Sequence, residues 1–148
     1  MNAFARQTVL VPIDYSDDAR LALDVGREIV DSSGTLHVVH VFPPPPVGTV
    51  VPATSSEERS AHGLSHLQQF LHQAGVVDVT PHVREGDPGH EIVNLAEKLK
   101  ADIVVMPSHG RTGLAHVLIG SVAERVVRLA PCPVLVLRSH PSTKTQEP

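Results

Sequence analysis

The chain has 148 residues, 41% of them hydrophobic and 19% charged, which is the size and usage of one globular domain rather than a disordered segment. Twelve Lys and Arg against sixteen Asp and Glu give a formal charge of −4, and three Phe and one Tyr supply few stacking platforms, so no nucleic-acid partner is expected. The single cysteine, Cys132, forbids an intrachain disulfide. No apolar run approaches the ~20 residues that span a bilayer, so the expectation is a cytoplasmic protein with no membrane insertion.

The first predicted strand covers residues 8–14, apolar and β-branched until Asp14. Pro12 interrupts it, and a proline in a central strand marks where the ladder ends. Ser16 caps a predicted helix running to about residue 31, with Ala19, Ala22, Gly26 and Ile29 on one face and Gly34 as its stop. A second strand follows at 36–42, then a stiff extended loop opened by Pro43, Pro44, Pro45 and Pro46 and lasting to about Thr54. Ser55 and Glu58 form a capping box for a second helix, whose stripe is Leu64, Leu67, Leu71 and Ala74 and whose end is Gly75. The stretch 76–84 is a more mixed strand that suits a sheet edge. Asp87 and Pro88 open a third helix with Ile92, Val93, Ala96 and Leu99 inward. A fourth strand spans 102–107. Ser121 with Glu124 makes a second capping box for a last helix burying Val122, Val126 and Leu129. Val134–Leu137 is the fifth strand, and the polar stretch 139–148 is expected to fray.

Alternating strands and helices read as βαβ units. Right-handed crossovers then give a three-layer, doubly wound α/β fold with a parallel sheet in the order 3-2-1-4-5, one domain with its core over 8–138. Ligands of such sheets bind beyond the carboxyl ends of the strands at the switch point, here between the first and fourth strands.

Two segments at that point can carry chemistry. Asp14 ends the first strand, where its carboxylate can accept from a sugar or purine amino group, or can brace the first helix together with Ser16. After the fourth strand come Met106, Pro107, Ser108, His109, Gly110, Arg111, Thr112 and Gly113, and later Gly120 and Ser121 at a helix start. Free N–H groups and the positive dipole end there favour a phosphate, although Ser121 could be no more than an N-cap and the glycines no more than turns. Ser108 beside His109 lacks the Gly-x-Ser-x-Gly elbow of a nucleophile, so no catalytic residue is assigned. His62 and His66, four apart on a helix, read as a solvated face. His37 and His40, three apart on a strand, point to opposite faces and make no metal pair. Cys132 reads as a small packed residue.

Asp14, the stretch from Met106 to Gly113, the run from Gly120 to Val126 and the run from Ala130 to Val136 together resemble the universal stress protein family. The resemblance implies a Rossmann-like fold of the adenine nucleotide alpha hydrolase type, a dimer and, in one subgroup, an ATP pocket with the pattern Gly, two residues, Gly, nine residues, Gly-Ser or Gly-Thr. Gly110, Gly120 and Ser121 match that pattern, while Pro107 stands where the first glycine would. The resemblance implies phosphate contacts from Gly110, Gly120, Ser121 and Val122. It sets Pro12 and Asp14 beside the adenosine, Val41 against adenine and Met106 near the ribose; Ile13, Pro107, Ser108, His109, Arg111 and Gly113 complete the candidate contacts. Mg²⁺ would accompany the triphosphate. The apolar fifth strand would lie at a sheet edge, an association hazard that pairing with its own copy resolves. The expected function is a homodimeric, ATP-binding, stress-linked interaction module. Its rivals are a family member that binds no nucleotide and acts by protein contacts, and a slow ATP hydrolase.

Overall fold

The structure is a computed structural model and describes residues 5–49, 55–108 and 119–138. Its elements are β1 (Arg6–Pro12), α1 (Asp17–Ile29), β2 (Val30–Phe42), α2 (Ser56–Gln73), β3 (Thr80–Glu85), α3 (Pro88–Leu99), β4 (Ile103–Pro107), α4 (Ser121–Leu129) and β5 (Val134–Leu137). The five strands form one parallel sheet in the order β3-β2-β1-β4-β5, as the alternation of elements implied. Side chains that alternate along the strands divide the core in two. Val9, Val11, Val38 and Val105 pack with α1 and α2 on one face. Leu10, Val39, Val104 and Met106 pack with α3 and α4 on the other. Both sets are almost wholly buried, which is why β1, β2 and β4 read as continuous aliphatic runs.

Several boundaries differ from the sequence reading for local physical reasons. Helix α1 stops at Ile29, and Val30 turns directly into β2 with its N–H on Gly26 O. Gly34 is therefore no helix stop. It lies in β2 where the register with β1 shifts, and a Cβ there would come 2.6 Å from Gln7 O and 2.9 Å from Arg6 O. The sequence pattern assigns Val76 to the third strand, whereas the structure sets it at the end of α2. Gly75, at φ +71°, donates to His72 O, and Val76 donates to Leu71 O. These two bonds make a Schellman stop, and β3 begins only at Thr80. The capping box of Ser55 and Glu58 is formed as expected, and so is the Asp87 cap of α3 with Pro88 in its first turn. The second predicted capping box is not. Gly120 is the N-cap of α4, Ser121 is its exposed first residue, and Glu124 pairs with Arg128 instead. That helix buries Ala123 and Val126, while Leu129 is 45% exposed. Pro43, Pro44 and Pro46 are exposed after β2; residues 50–54 and the expected frayed stretch 139–148 lie outside the described residues.

Candidate functional site

The crevice between β1 and β4 opens because two prolines face each other across it. Thr8 O accepts from Asp102 N, whereas Ile13 N donates to Val39 O. Even-numbered residues of β1 thus point their peptide groups towards β4 and odd ones towards β2. On β4, Val104 N and Ser108 N donate to Pro133 O and Leu137 O on the β5 side, leaving the odd residues to face β1. Pro12 and Pro107 therefore lack an N–H on the edge each turns to the other. The paired residues are Val9 with Ile103 and Leu10 with Val104, and beyond them the strands part.

One wall of this crevice is apolar. Val41 and Met106 lie on the α3/α4 face together with Ile119 and Val122, and Pro12 shares that face by alternation with Leu10. Ile13 belongs to the opposite face, and its carbonyl is held by His40 Nδ1 at 3.0 Å. Pro107 lies, by the same alternation, on the side of Val105 and Leu137. Asp14 stands just past β1, half-buried. Its Oδ1 accepts from the Ser16 N–H at 3.1 Å and from the Ser16 hydroxyl, so the bracing role is realised. The other oxygen has no hydrogen bond among the described residues. Ser16 consequently gives α1 no side-chain cap.

The opposite rim is the start of α4. Gly120 N donates to Ser108 O at 2.6 Å and Ser108 N donates to Leu137 O at 2.8 Å, so the end of β4 is stapled to the head of α4. Ser108 is only 3% exposed; it is a buried connector rather than a surface loop residue. The first turn of α4 has no side-chain cap, leaving the N–H groups of Ser121 and Val122 at a positive dipole end. Asp87 holds this helix in place: it caps α3 through the His90 N–H and accepts from Arg125 of α4 at 2.9 Å. The His90 N–H, ahead of Arg125, keeps its carboxyl below the usual range. His109, Gly110, Arg111 and Gly113 lie outside the described residues.

The histidines have other partners. His37 Nδ1 and His82 Nε2 share a hydrogen bond of 2.9 Å between β2 and β3, while His40 turns to the other face and stacks on Tyr15. The opposite facing of His37 and His40 is thus observed. His66 also stacks on Tyr15, so the α2 pair is not merely a solvated face. Tyr15, which the sequence pattern assigns no role, is the residue that gathers the His40 and His66 rings. Burial pushes the Cys132 thiol up, away from the reactive thiolate.

Comparisons with known proteins agree with this arrangement. The family described as the Universal stress protein family matches residues 5–138. Universal stress protein MJ0531 of Methanocaldococcus jannaschii is 37% identical over 142 residues, covering 88% of this chain and 81% of its own. Universal stress protein YxiE of Bacillus subtilis is 30% identical over 149 residues, covering 88% and 97%. Among solved structures, hypothetical protein MJ0577 superposes with a TM-score of 0.70 at 27% identity, over 92% of this chain and 99% of that one. A universal stress protein in complex with cAMP superposes at 0.65 and 26%, over 91% and 99%. The chain therefore belongs to the universal stress protein family.

Proposed function

We propose that the chain is a nucleotide-binding module that holds ATP in the β1–β4 crevice and acts as a homodimer, its occupancy setting an interaction surface. The observation that carries the reading is the staple from Gly120 N to Ser108 O. It brings an uncapped helix N-terminus to the switch point of the sheet, where an anion is favoured. Val41 and Met106 offer an apolar wall for a base, and Asp14 keeps one carboxylate oxygen for a hydroxyl or amino group. Because Gly120 spends its own N–H on Ser108, the phosphates would meet the N–H groups of Ser121 and Val122 instead, with Mg²⁺ carried by the triphosphate. A related protein described in complex with cAMP supports an adenine nucleotide as the ligand class.

Thermal denaturation with and without Mg-ATP tests this. A ligand at a hundredfold excess over its Kd stabilises by about 2.7 kcal/mol, a rise of several degrees in Tm. Gly120→Val puts a branched side chain at the rim and is expected to remove the rise. No rise for the wild-type protein at millimolar ATP would overturn the reading. A second reading, a family member acting through protein contacts alone, is favoured by Pro107, which deletes an N–H on the crevice side; native mass spectrometry free of bound nucleotide would support it.

A further inference from the structure

Taking the β1–β4 crevice as the nucleotide site, we infer that Tyr15 and His40 are positioning residues for it. From the α1/α2 face of the sheet they lock the β1–α1 turn in the shape that orients Asp14. Both backbone groups of Ile13 are held by β2. Its N–H donates to Val39 O at 2.9 Å, and its carbonyl accepts from His40 Nδ1 at 3.0 Å. A carbonyl only accepts, so Nδ1 carries the His40 proton. The end of β1 is thereby fixed before the turn begins.

The turn itself is strained. Tyr15 holds φ +62°, the left-handed region that a bulky L-residue avoids. Lys100, the other such non-glycine among the described residues, is the C-cap of α3, an ordinary place for this conformation. Tyr15 stands instead between a strand and a helix start. Such strain persists only where the surroundings over-determine it. Here three rings do so: Tyr15 lies 4.5 Å from His40 and 4.6 Å from His66, centroid to centroid, and 5.1 Å from Phe70 edge-on, distances at which aromatic pairs attract. His40 thus serves twice, bonding the carbonyl before the turn and stacking on the ring within it.

Asp14 lies between these two fastenings. With the chain reversed at Tyr15, the Ser16 N–H and hydroxyl both come back to Asp14 Oδ1, which fixes the rotation of the carboxylate. Its second oxygen is the one offered to a ligand. A turn that relaxed to negative φ at residue 15 would release Ser16 from Oδ1 and let the carboxylate swing. The side chain that would meet the nucleotide is therefore oriented by residues that act from the opposite face and through Asp14.

Calorimetric titration of the full chain with Mg-ATP tests this. Tyr15→Gly accepts the positive φ but loses the rings, and it is expected to weaken ATP binding about threefold to tenfold, the range of one lost hydrogen bond. Tyr15→Phe keeps the stack, and the Tyr15 hydroxyl has no hydrogen-bond partner among the described residues, so it is expected to bind as the wild type does. In an Asp14→Ala background, Tyr15→Gly is expected to cost nothing further, because both changes act through one carboxylate. Additive losses, or undiminished binding by Tyr15→Gly, would overturn the inference. Hydrogen exchange reads the turn without a ligand: the Ser16 N–H is expected to lose protection in Tyr15→Gly and to keep it in Tyr15→Phe, and equal protection in both would also overturn it. Should Tyr15→Gly fail to fold, His40→Phe, which keeps a ring against Tyr15 and frees the Ile13 carbonyl, is held to the same outcomes. A wild type that binds no ATP would overturn the nucleotide reading, while Ser16 exchange still decides the locked turn, so the two fail separately.

Discussion

Pro107 occupies a position whose peptide nitrogen faces β1 across the crevice, so its ring removes a donor from the surface a nucleotide would use. Replacing it restores that donor. Pro107→Gly is expected to raise ATP affinity by up to about tenfold, since a single hydrogen bond contributes about 0.5–1.5 kcal/mol. The glycine also frees the unfolded chain, at a cost to stability of about 0.4–1 kcal/mol. Calorimetric titration of both proteins decides it: equal affinity would mean that no donor is wanted there. At this scale the sequence was legible where a residue acts through its own backbone. The ladder-ending role of Pro12 followed from a missing N–H. Nothing along the chain marks Tyr15, because its ring partners His40, His66 and Phe70 lie on β2 and α2, which local sequence does not bring together.

Between elements, the β2–β3 pairing carries a pH dependence. Burial lowers the pKa of His37 and, with the nearby His37, Arg84 and Lys98 charges, lowers that of His82 from 6.5 to about 4. In the unfolded chain both return towards 6.5. The unfolded state therefore binds more protons between these values, and stability falls as the pH drops through that window. Its full contribution is present above about pH 6.5 and is lost by about pH 4. Urea unfolding at pH 7.5 and pH 4.5 is expected to show a larger acid loss in the wild type than in His82→Leu; equal losses would place the titration elsewhere. Element starts and stops were partly readable in the same way. The Ser55–Glu58 box and the Asp87 cap depend on contacts three residues apart, and both formed. Ser121 with Glu124 has the same spacing, yet tertiary contacts overrode it: Gly120 is drawn to Ser108, and Arg128 takes the carboxylate.

For the whole molecule, the sheet order leaves β5 as an edge. Leu135 on that strand is 36% exposed, and Val127 and Leu129 on α4 are 50% and 45% exposed. An apolar edge flanked by an apolar helix surface invites pairing with a second copy. Val134 and Val136 pack inward against α3 and α4, so Leu135 is the position that tests pairing without opening the core. On the proposed dimer, the wild type is expected to elute as a dimer on gel filtration and Leu135→Lys as a monomer with its Tm little changed; a variant that elutes as the dimer would exclude the β5 edge as the interface.

The order of the sheet, its two aliphatic layers and the switch-point crevice were determined by the sequence, because strand periodicity, helix caps and the handedness of crossovers are local or chiral rules. Membership of the family was legible for a similar reason: the runs around Gly120 and Cys132 are contiguous. Only the tertiary structure decided that Pro12 and Pro107 oppose each other, that Gly120 gives its N–H to Ser108, and that Tyr15, His40 and His66 stack on the far face. Each of these joins residues far apart in the chain, and their meeting depends on the register between strands rather than on any pattern along one of them.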